Sequence, residues 1–528
     1  MRGCQDHTYA GTGLLAMAML AMSAAAAPFV IKNEDNEHIF MAPREIEATE
    51  RSLVDYVDRL TKGKVLTHVF FCACGQRASF DSDAWEPIWY GMDEKDYDGQ
   101  TNRHPWKATA KLFHDRGIDP YKVMVRRARD NGVSPWMSMR MNDIHFVTSD
   151  KLARTTRFWR DHPEFRIYPE EKALGSKRPW TDFTLDFAHK EVRDYNFAMA
   201  RELLTRYDCD GLELDWLRCV PSLRYGHAEE DAHFVTEFVR RVKRAADRAA
   251  ADRDHPVRVA VRVPQNLKAA HQLGFEVEKW VAEKLVDVVV LSGESAAYFE
   301  LDYQKMAAAL KAENPNLIVV PMIDRIQCND ESFPQHIDLA GYKGWADAMY
   351  AKGVDGLYLF NLEYSDKTAQ RGIYAGALTP ENAAKGYRRY FTTCDDVANK
   401  ILKPAEKSFL PVCVDTSVDI PVVAGRSLPA AKAEVILGFD SASVPFEALN
   451  VTLNGKTALG VREETKTDQY CGAKRWTWKR SLKVCRWHFR PEAFVPGVNM
   501  IGFRPVEGAK ARIVWSEVAL DRDEADGK

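Results

Sequence analysis

The residues best suited to chemistry lie together in one short acidic segment. Residues 210–218 read DGLELDWLR, in which Glu213 and Asp215 alternate with two leucines. Alternate residues of a β-strand share a face, so the leucines would pack against helices and both acids would point to the opposite face. Carboxylates on the inner face of an apolar strand are costly unless they are paired with a cation or used in a reaction. The segment therefore predicts either an ion pair or an acid-base site.

The two acids allow two interpretations. In the first, they form structural ion pairs with an arginine of the same sheet, such as Arg140 or Arg262. In the second, Asp215, nearer the carboxyl end of the strand, meets a substrate, while Glu213 lies one layer below and shapes its charge. We favour the second interpretation, and we predict that Asp215 and Glu213 are catalytic.

A second carboxyl group near the substrate is needed if Asp215 acts on a glycosidic bond. One group then protonates the leaving oxygen, and the other serves as nucleophile or base. Glu294, in the sequence LSGES directly after an apolar segment, is the first choice for the proton donor. Asp324 and Glu363 follow later apolar segments and are the reserves. The alternative for Glu294 is an ordinary acidic residue at the N-terminus of a helix.

Polar residues at the ends of several predicted strands would line the same site. Amide and hydroxyl groups suit hydrogen bonds to sugar hydroxyls, and arginine suits a carboxylate or sulfate. The residues predicted to bind substrate are Arg140, Asn142, Asp143, His145, Trp216, Arg262, Asn266, Tyr358, Asn361 and Glu363. Asp143 and His145 would bind a metal ion only with a third ligand, and the spacing offers none. We therefore predict neither a metal nor a cofactor.

Helical and apolar segments alternate from about residue 50 to residue 365, which predicts βαβ units and a parallel sheet. The predicted strands are residues 65–72, 135–139, 183–187, 211–216, 257–263, 286–291, 317–322 and 356–360. The predicted helices include residues 45–62, 121–130, 190–207, 231–251 and 342–352. Eight such strands indicate an α/β protein with a (β/α)8 TIM barrel. A doubly wound sheet is the rival, but the first predicted strand is followed by CACGQRASF, which lacks a glycine-rich phosphate turn.

Two long loops leave the carboxyl ends of the first two predicted strands. They span residues 75–117 and 142–182 and contain several aromatic residues: Trp85, Trp89, Tyr90, Trp106, Trp159, Tyr168 and Trp180. Active sites of TIM barrels lie at this face, and loops of such length tend to be functional. Tryptophan faces are good platforms for sugar rings, although for any single tryptophan a place in the core is the favoured interpretation.

The pattern changes after about residue 400 to short strands separated by turns such as Asn454-Gly455. The strands are predicted at residues 433–438, 448–453, 481–489 and 511–520. We therefore predict a (β/α)8 catalytic domain over residues 27–400 and a β-sandwich accessory domain over residues 401–528. Such a module either buttresses the barrel or binds sugar, and we place buttressing first.

The N-terminus has the pattern of an export signal. An apolar run over residues 13–22 precedes the small residues Ala24, Ala25 and Ala26, which predicts a signal peptide over residues 1–26. We expect a secreted or periplasmic protein with no membrane span after signal removal, and an uncleaved N-terminal anchor is the alternative. The net charge of −3 offers no basic excess for phosphate contacts, so nucleic acid is not an expected partner. The sequence leaves the oligomeric state open.

The ten cysteines leave nine after signal removal, and export would permit disulfides. Cys72 and Cys74 lie two apart on a predicted strand and point the same way, in poor geometry for a mutual bridge. We predict that both are buried thiols. Cys471 and Cys485 flank a predicted hairpin and are the pair expected to form a disulfide.

Three motifs resemble the glycosyl hydrolase-like family 10 group within the TIM-barrel glycoside hydrolase superfamily. They are LDFAHKEVRDY at residues 185–195, the acidic segment DGLELDWLR, and VDGLYLFNLE at residues 354–363. The likeness covers roughly residues 60–365. It implies a hydrolase that acts on a carbohydrate substrate through an acid on the fourth strand. A fourth-strand Asp nucleophile with a sixth-strand acid is similar to the α-galactosidase-like clan, which implies a retaining mechanism.

Three other functions remain open at this point. The barrel could be a non-catalytic carbohydrate-binding protein, a metal-dependent hydrolase centred on Asp143 and His145, or a lyase acting on uronate polysaccharides. The distance between the Asp215 and Glu294 carboxyl groups discriminates among glycosidase mechanisms. About 5–5.5 Å indicates retention of the anomeric configuration, and about 6.5–9.5 Å indicates inversion.

Overall fold

Eight parallel strands close into a barrel, as the sequence predicts. The structure is a computed structural model that describes residues 28–35, 38–41, 48–91, 105–145, 147, 155–167, 183–293, 299–300, 302–324, 337–365, 367–392, 409–426, 430–440, 449–463, 482–506 and 509–521. The barrel strands are β1 Phe29–Glu34, β2 His68–Cys74, β3 Ser134–Arg140, β4 Gly211–Asp215, β5 Arg258–Pro264, β6 Val288–Ser292, β7 Ile318–Ile323 and β8 Gly356–Leu359. They pair in chain order, and β8 closes the ring on β1.

Helices surround the barrel and bury one apolar face against it. They are α1 His38–Met41, α2 Glu50–Thr61, α3 Pro105–Asp115, α4 Pro120–Asp130, α5 Arg157–Asp161, α6 Lys190–Arg206, α7 Ala228–Arg253, α8 Leu267–Gln272, α9 Val277–Ala282, α10 Tyr303–Glu313, α11 Leu339–Ala351, α12 Lys367–Tyr374 and α13 Pro380–Ala383. In α7 the buried face includes Val235, Phe238, Val239 and Val242, at the spacing of helical turns. The Asp119 side chain caps the first turn of α4. Each of the five predicted helices corresponds to one of these helices.

Two features of the predicted barrel are wrong. Residues 183–187 do not form a barrel strand, because this segment makes turns and a single bridge between Leu185 and Arg166. The missing strand is β1, which pairs with both β2 and β8. Its sequence FVIKNE is half polar, with Lys32 and Glu34 both buried, so it lacks the apolar run that marks the other strands. The two errors offset each other in the count, and β4 is the predicted fourth strand.

The lower part of the barrel interior is apolar and tightly packed. Trp136 stacks on Phe70 with 4.7 Å between ring centroids. Gly211 opens β4 directly against this tryptophan, since a Cβ built there would lie 2.4 Å from a ring carbon of Trp136. The glycine of the DG motif therefore provides space for a large core side chain. Polar side chains replace apolar ones toward the carboxyl ends of the strands.

Two antiparallel sheets follow the barrel and confirm the β-sandwich class. Their strands are β9 Arg388–Phe391, β10 Val412–Val414, β11 Val418–Val423, β12 Ala433–Asp440, β13 Leu449–Leu453, β14 Lys456–Thr457, β15 Gly460–Glu463, β16 Leu482–Phe489, β17 Val498–Pro505 and β18 Ala511–Leu520. One sheet has the order β10-β18-β12-β16-β15, with β9 also paired to β18, and the other has the order β11-β17-β13-β14.

Strand β9 fastens the sandwich to helix α11 of the barrel. The Arg389 guanidinium donates to Glu517 of β18 at 3.0 and 2.6 Å and lies 3.0 Å from Asp338, the N-cap of α11. A Cβ at Gly344 of α11 would lie 2.0 Å from the Arg389 carbonyl oxygen, so helix and strand are in close contact. This ion pair is buried, and the buttressing role of the sandwich stays a prediction.

The cysteines on β2 are buried, as expected for structural thiols. Burial raises the pKa of Cys72 to about 12 and that of Cys74 well above its usual range. Cys471 lies outside the described residues, so the bridge to Cys485 stays a prediction. Within the described part of the chain, no helix is both long and apolar enough to cross a membrane. The predicted signal peptide also lies outside the described residues.

Candidate active site

Asp215 ends β4 on the inner face of the barrel, at the carboxyl end of the strands. Its side chain is buried, and its Oδ1 accepts a hydrogen bond from Arg262 Nη1 at 2.7 Å. The same oxygen accepts bonds from the backbone N–H groups of Leu217 and Arg218, both at 3.1 Å. The other oxygen, Oδ2, accepts no hydrogen bond within the described part of the chain. Three donors therefore fix one carboxylate oxygen, and the other has no donor among the described residues.

Two arginines flank Asp215 at the same level of the barrel. Arg140 of β3 and Arg262 of β5 are its register partners on the neighbouring strands. Arg262 is fully buried and also donates to Ser292 Oγ at 3.1 Å, at the end of β6. Its guanidinium carbon lies 4.3 Å from the centroid of the Phe360 ring. These two cations compensate the negative charge of Asp215 in the buried, low-dielectric interior of the barrel.

Glu213 lies one layer below Asp215, as predicted, and is fully buried. Its carboxyl oxygens accept hydrogen bonds from Ser138 Oγ at 2.6 Å, Tyr358 OH at 2.6 Å and Asn33 Nδ2 at 3.3 Å. Burial, together with the nearby Asp215 carboxylate, raises the pKa of Glu213 to about 7. Near neutral pH the Glu213 carboxyl is therefore partly protonated, and this limits the negative charge in the layer below Asp215.

The raised pKa of Glu213 predicts a pH-dependent stability that Glu213→Gln should remove. A carboxyl with a higher pKa in the folded chain adds stability that is fully present below its unfolded pKa and is lost as the pH rises through the folded value. From 4.5 unfolded to about 7 folded, this amounts to about 3 kcal/mol between about pH 4 and pH 8. Urea unfolding across this range should show the decline in the wild type relative to the variant. Parallel curves for the two proteins would contradict it.

A second charged cluster lies at the ends of β1 and β3. Arg140 donates to Asp35 Oδ1 and to Asp143 Oδ2, both at 2.9 Å, and all three side chains are buried. His145 Nδ1 lies 2.6 Å from Asp143 Oδ1, and Arg218 Nη2 lies 3.1 Å from His145 Nε2. An arginine can only donate, so Nε2 is the acceptor and Nδ1–H donates to Asp143. The neutral imidazole thus lies between a carboxylate and a guanidinium.

The structure places three predicted binding residues away from the mouth of the barrel. Trp216 is fully buried among aromatic side chains of the helical layer, with Phe187 at 5.0 Å and Phe275 at 5.5 Å between ring centroids, so its predicted contact with substrate is corrected. It follows Asp215 directly, and strand alternation turns it to the outer face. Tyr358 is buried in the layer of Glu213. Glu363 contacts Lys32 on the outer face of β1, at 3.1 Å.

Two predicted binding residues hold backbone in place. Asn142 Nδ2 donates to the Leu185 carbonyl at 2.9 Å, and its Oδ1 accepts from the Leu185 N–H at 2.9 Å. Because both ends of the amide are used, Asn142 positions the segment after the β3 loop and is not exposed to bind a sugar. Asn266 caps helix α8, accepting from the Ala269 N–H at 2.7 Å.

Of the candidates Glu294 and Asp324 for the second carboxyl group, the structure describes only Asp324. Glu294 lies outside the described residues, so its distance from Asp215 stays a prediction. Asp324 follows β7 and is buried, and it accepts from Asn361 Nδ2 at 3.1 Å. Asn361 lies in the left-handed region at φ 52°, directly after Phe360 at the end of the β8 segment. Both residues therefore lie where the barrel opens.

Sequence reasoning missed several residues of the site. They are Asn33, Asp35, Ser138, Arg218 and Phe360. The alternation Ile31, Asn33, Asp35 is the signal that could have located the first two, because it continues the inner face of β1 into the charged layer. Of the tryptophans in the long loops, Trp85, Trp89 and Trp106 are buried, as the core interpretation expects, whereas Trp159 is half-buried and lines a small pocket together with Trp85.

A cavity of about 890 Å³ opens between the segments that follow β4 and β5. Its walls combine apolar and charged side chains, among them Leu223, Arg224, Tyr225 and Lys268. Mixed lining of this kind suits a polar ligand with apolar faces. Neither Asp215 nor Arg262 is among the residues that line this cavity.

No protein-family model matches the chain, and no curated protein matches it. Solved structures similar to it include an α-L-fucosidase from Paenibacillus thiaminolyticus (11% identity, TM-score 0.40, 69% of this chain and 51% of that chain). Another is the PgaB glycoside hydrolase domain from Bordetella bronchiseptica (12% identity, TM-score 0.39, 66% of this chain and 99% of that chain).

A third is a cycloisomaltooligosaccharide glucanotransferase from Paenibacillus (10% identity, TM-score 0.33, 94% of this chain and 57% of that chain). The chain thus spans about half the length of the fucosidase and of the glucanotransferase. Likeness at this level assigns no site residue. The resemblance to the glycosyl hydrolase-like family 10 group stays a prediction.

Proposed function

We propose that this protein is a glycoside hydrolase that acts on a poly- or oligosaccharide, with Asp215 as the carboxylate that meets the reacting sugar carbon. The observation that carries the proposal is the geometry of this side chain at the barrel mouth. Arg262 and two backbone N–H groups hold Oδ1, while Oδ2 has no donor among the described residues. A fixed carboxylate with one available oxygen suits the nucleophile or charge-stabilising group of a glycosidase.

The chemistry we propose is a retaining double displacement. Asp215 Oδ2 attacks the anomeric carbon as the bond to the leaving oxygen breaks, and a carboxylic acid gives that oxygen its proton. The same acid, now a carboxylate, takes a proton from the water that hydrolyses the glycosyl ester. Arg262 and the two N–H groups do not move in either step. They hold the charge of Asp215 in one place, which is the preorganisation that catalysis requires.

Glu294 is our choice for the acid, because a single glycine separates it from the end of β6. Ser292, the last residue of β6, contacts Arg262, which contacts Asp215. The end of β6 therefore lies beside the proposed nucleophile. Asp324 is the reserve, at the end of the next strand.

Glu294→Gln should reveal the acid through its dependence on the leaving group. On alkyl glycosides we expect a loss of kcat/KM of about 10²–10⁴-fold, the scale of general acid catalysis. On 2,4-dinitrophenyl glycosides the loss should be much smaller, because that leaving group departs without a proton. Asp324→Asn is the matched control and should show no such dependence. If the dependence follows Asp324→Asn instead, the acid is Asp324.

The experiment that tests the proposed function is covalent trapping. After an active glycoside is found in a panel of polysaccharides and nitrophenyl glycosides, the matching 2-deoxy-2-fluoro sugar with a reactive leaving group is added. Peptide mass spectrometry should locate the adduct on Asp215. An adduct on another carboxylate, or turnover without any adduct and with inversion, would contradict the nucleophile assignment. Inactivity across the panel would favour a carbohydrate-binding barrel.

The uronate lyase is less well supported by the site. Such an enzyme needs a cation that is free to neutralise the substrate carboxylate. Arg140 is engaged by Asp35 and Asp143, and Arg262 is engaged by Asp215. Both arginines are therefore already paired with aspartates of the protein.

A further inference from the structure

We propose that Asp143, His145 and Cys219 form a binding site for a thiophilic divalent metal ion such as Zn²⁺. The sequence offered the first two residues and no third ligand. The fold supplies the third, because the turn after β4 brings Cys219 beside the loop after β3. This inference does not depend on the glycosidase proposal, since metal binding is measured without a sugar.

The three ligand atoms already lie close together. Asp143 Oδ1 lies 2.6 Å from His145 Nδ1, and Cys219 Sγ lies 4.0 Å from the same nitrogen. All three atoms fall within 4.8 Å of one another. The bond lengths of tetrahedral zinc require separations of about 3.4–3.6 Å between such ligand atoms. Side-chain shifts of about 1 Å or less would therefore produce the coordination geometry.

Arg140 orients the carboxylate for this role. It donates to Asp143 Oδ2 at 2.9 Å, and this leaves Oδ1 on the side of His145. Metal-binding carboxylates are commonly held by such an outer hydrogen bond, which fixes the ligand oxygen. Asp35 holds the other arm of Arg140, at 2.9 Å. The carboxylate is thus positioned by two further buried side chains.

The chemistry of the three donors also fits zinc. Carboxylate, imidazole and thiolate are all zinc ligands, and the thiolate discriminates against magnesium and calcium. The two anionic ligands would balance the charge of the ion. Cys219 is buried and is held in the left-handed region at φ 70°, where it presents Sγ to His145. Three protein ligands leave one position open for water or another ligand.

Metal binding would couple to the turn that holds Asp215. In this structure Arg218 Nη2 donates to His145 Nε2 at 3.1 Å. A metal on Nδ1 would place the imidazole proton on Nε2, so Arg218 would release His145 on binding. The backbone N–H of the same residue donates to Asp215 Oδ1. The proposed ligand Cys219 therefore directly follows Arg218, whose backbone N–H holds the candidate nucleophile.

The test is a titration of the reduced, full-length protein with Zn²⁺ and with Co²⁺. One tightly bound ion per chain is expected, and the cobalt form should show a sulfur-to-metal charge-transfer band and intense tetrahedral d–d bands. Cys219→Ser should abolish the charge-transfer band and weaken zinc affinity about 100-fold or more, and His145→Ala should weaken it similarly. Cys413→Ser removes an exposed cysteine and is the matched control. It should change neither readout.

Two results would overturn the proposal. One is a chain that binds neither ion at micromolar concentration. The other is a charge-transfer band that persists in Cys219→Ser, because the ion would then lie on another cysteine. Circular dichroism of Cys219→Ser separates loss of a ligand from loss of the fold. If that variant is unfolded, His145→Ala and Asp143→Asn decide, since both keep the thiol and should still lose affinity.

Discussion

Asp215→Asn is expected to lower kcat/KM by about 10⁴-fold or more on any glycoside that the wild-type protein cleaves. This is the scale of loss when a group that acts directly on the reacting bond is removed. The amide oxygen can still accept from Arg262 and from the N–H groups of Leu217 and Arg218, which all converge on one oxygen. The variant should therefore keep the shape of the site and lose its charge.

The control for this prediction is Asp210→Asn, at the opposite end of the same strand. Asp210 pairs with Arg129 at 2.7 Å and accepts from Ser134 Oγ at 2.6 Å, at the amino end of the strands. It is a partly exposed ion pair, so its loss should cost stability of about 1 kcal/mol or less and leave kcat/KM unchanged. Wild-type activity in Asp215→Asn, or an equal loss in both variants, would refute the role of Asp215.

Stability must be measured beside activity, because Asp215 is the charge partner of a fully buried arginine. Leaving such a charge without a counterion can cost about 3–5 kcal/mol. Asp215→Glu keeps the charge and moves the carboxylate by one methylene. A displacement of this size is expected to cost about 10²-fold in rate. A folded but inactive Asp215→Glu would show that position as well as charge is required.

The acidic strand was predictable because its signal is local. The alternation of Glu213 and Asp215 with leucines sets both the strand and the inner face, and the structure places the two acids one above the other as expected. The glycine that precedes them has a cause that is not local, because the ring of Trp136 on β3 occupies the space beside it. Patterns that reflect one strand and its own faces can be interpreted without knowledge of the rest of the fold.

The remaining parts of the site arise from contacts between distant segments. Arg140 and Asp35 are 105 positions apart, and His145 and Cys219 are 74 positions apart. Nothing in the spacing of these residues indicates that the barrel brings their side chains together. The same holds for Asn142, whose amide is used by backbone 43 positions away. A polar residue after a strand predicts a place at the barrel mouth but not whether its donors and acceptors are already used.

Strand β1 shows how a buried charge can hide a strand. Its inner face continues a normal pattern, but its outer face carries Lys32 and Glu34 where other strands carry valine or leucine. The alternative prediction at residues 183–187 has the apolar composition that β1 lacks. The stability of the fold around β1 therefore depends on a buried ion cluster, and the hydrophobic pattern of the sequence does not reveal such a cluster. This dependence can be measured.

Lys32→Met is expected to destabilise the protein by about 3–5 kcal/mol, because it removes a buried cation that pairs with two buried carboxylates. Lys32 is fully buried between β1 and the helical layer, where its Nζ donates to Glu34 and to Glu363, the latter at 3.1 Å. Tyr56 of α2 donates to Glu34 from the other side. Burial lowers the pKa of Lys32, but the two carboxylates outweigh burial and raise it well above its usual range. The ammonium thus links the two carboxylates.

The measurement is the free energy of unfolding in urea, with Lys311→Met as the matched control. Lys311 pairs with Asp355 at 2.5 Å, but its side chain is about one-third exposed, so its loss should cost about 1 kcal/mol or less. A triple variant, Lys32→Met with Glu34→Gln and Glu363→Gln, should recover part of the loss, because it removes the uncompensated charges together with the cation. If Lys32→Met costs no more than Lys311→Met, the closing strand of the barrel is held by its ladder hydrogen bonds, and the buried cluster adds nothing to its stability.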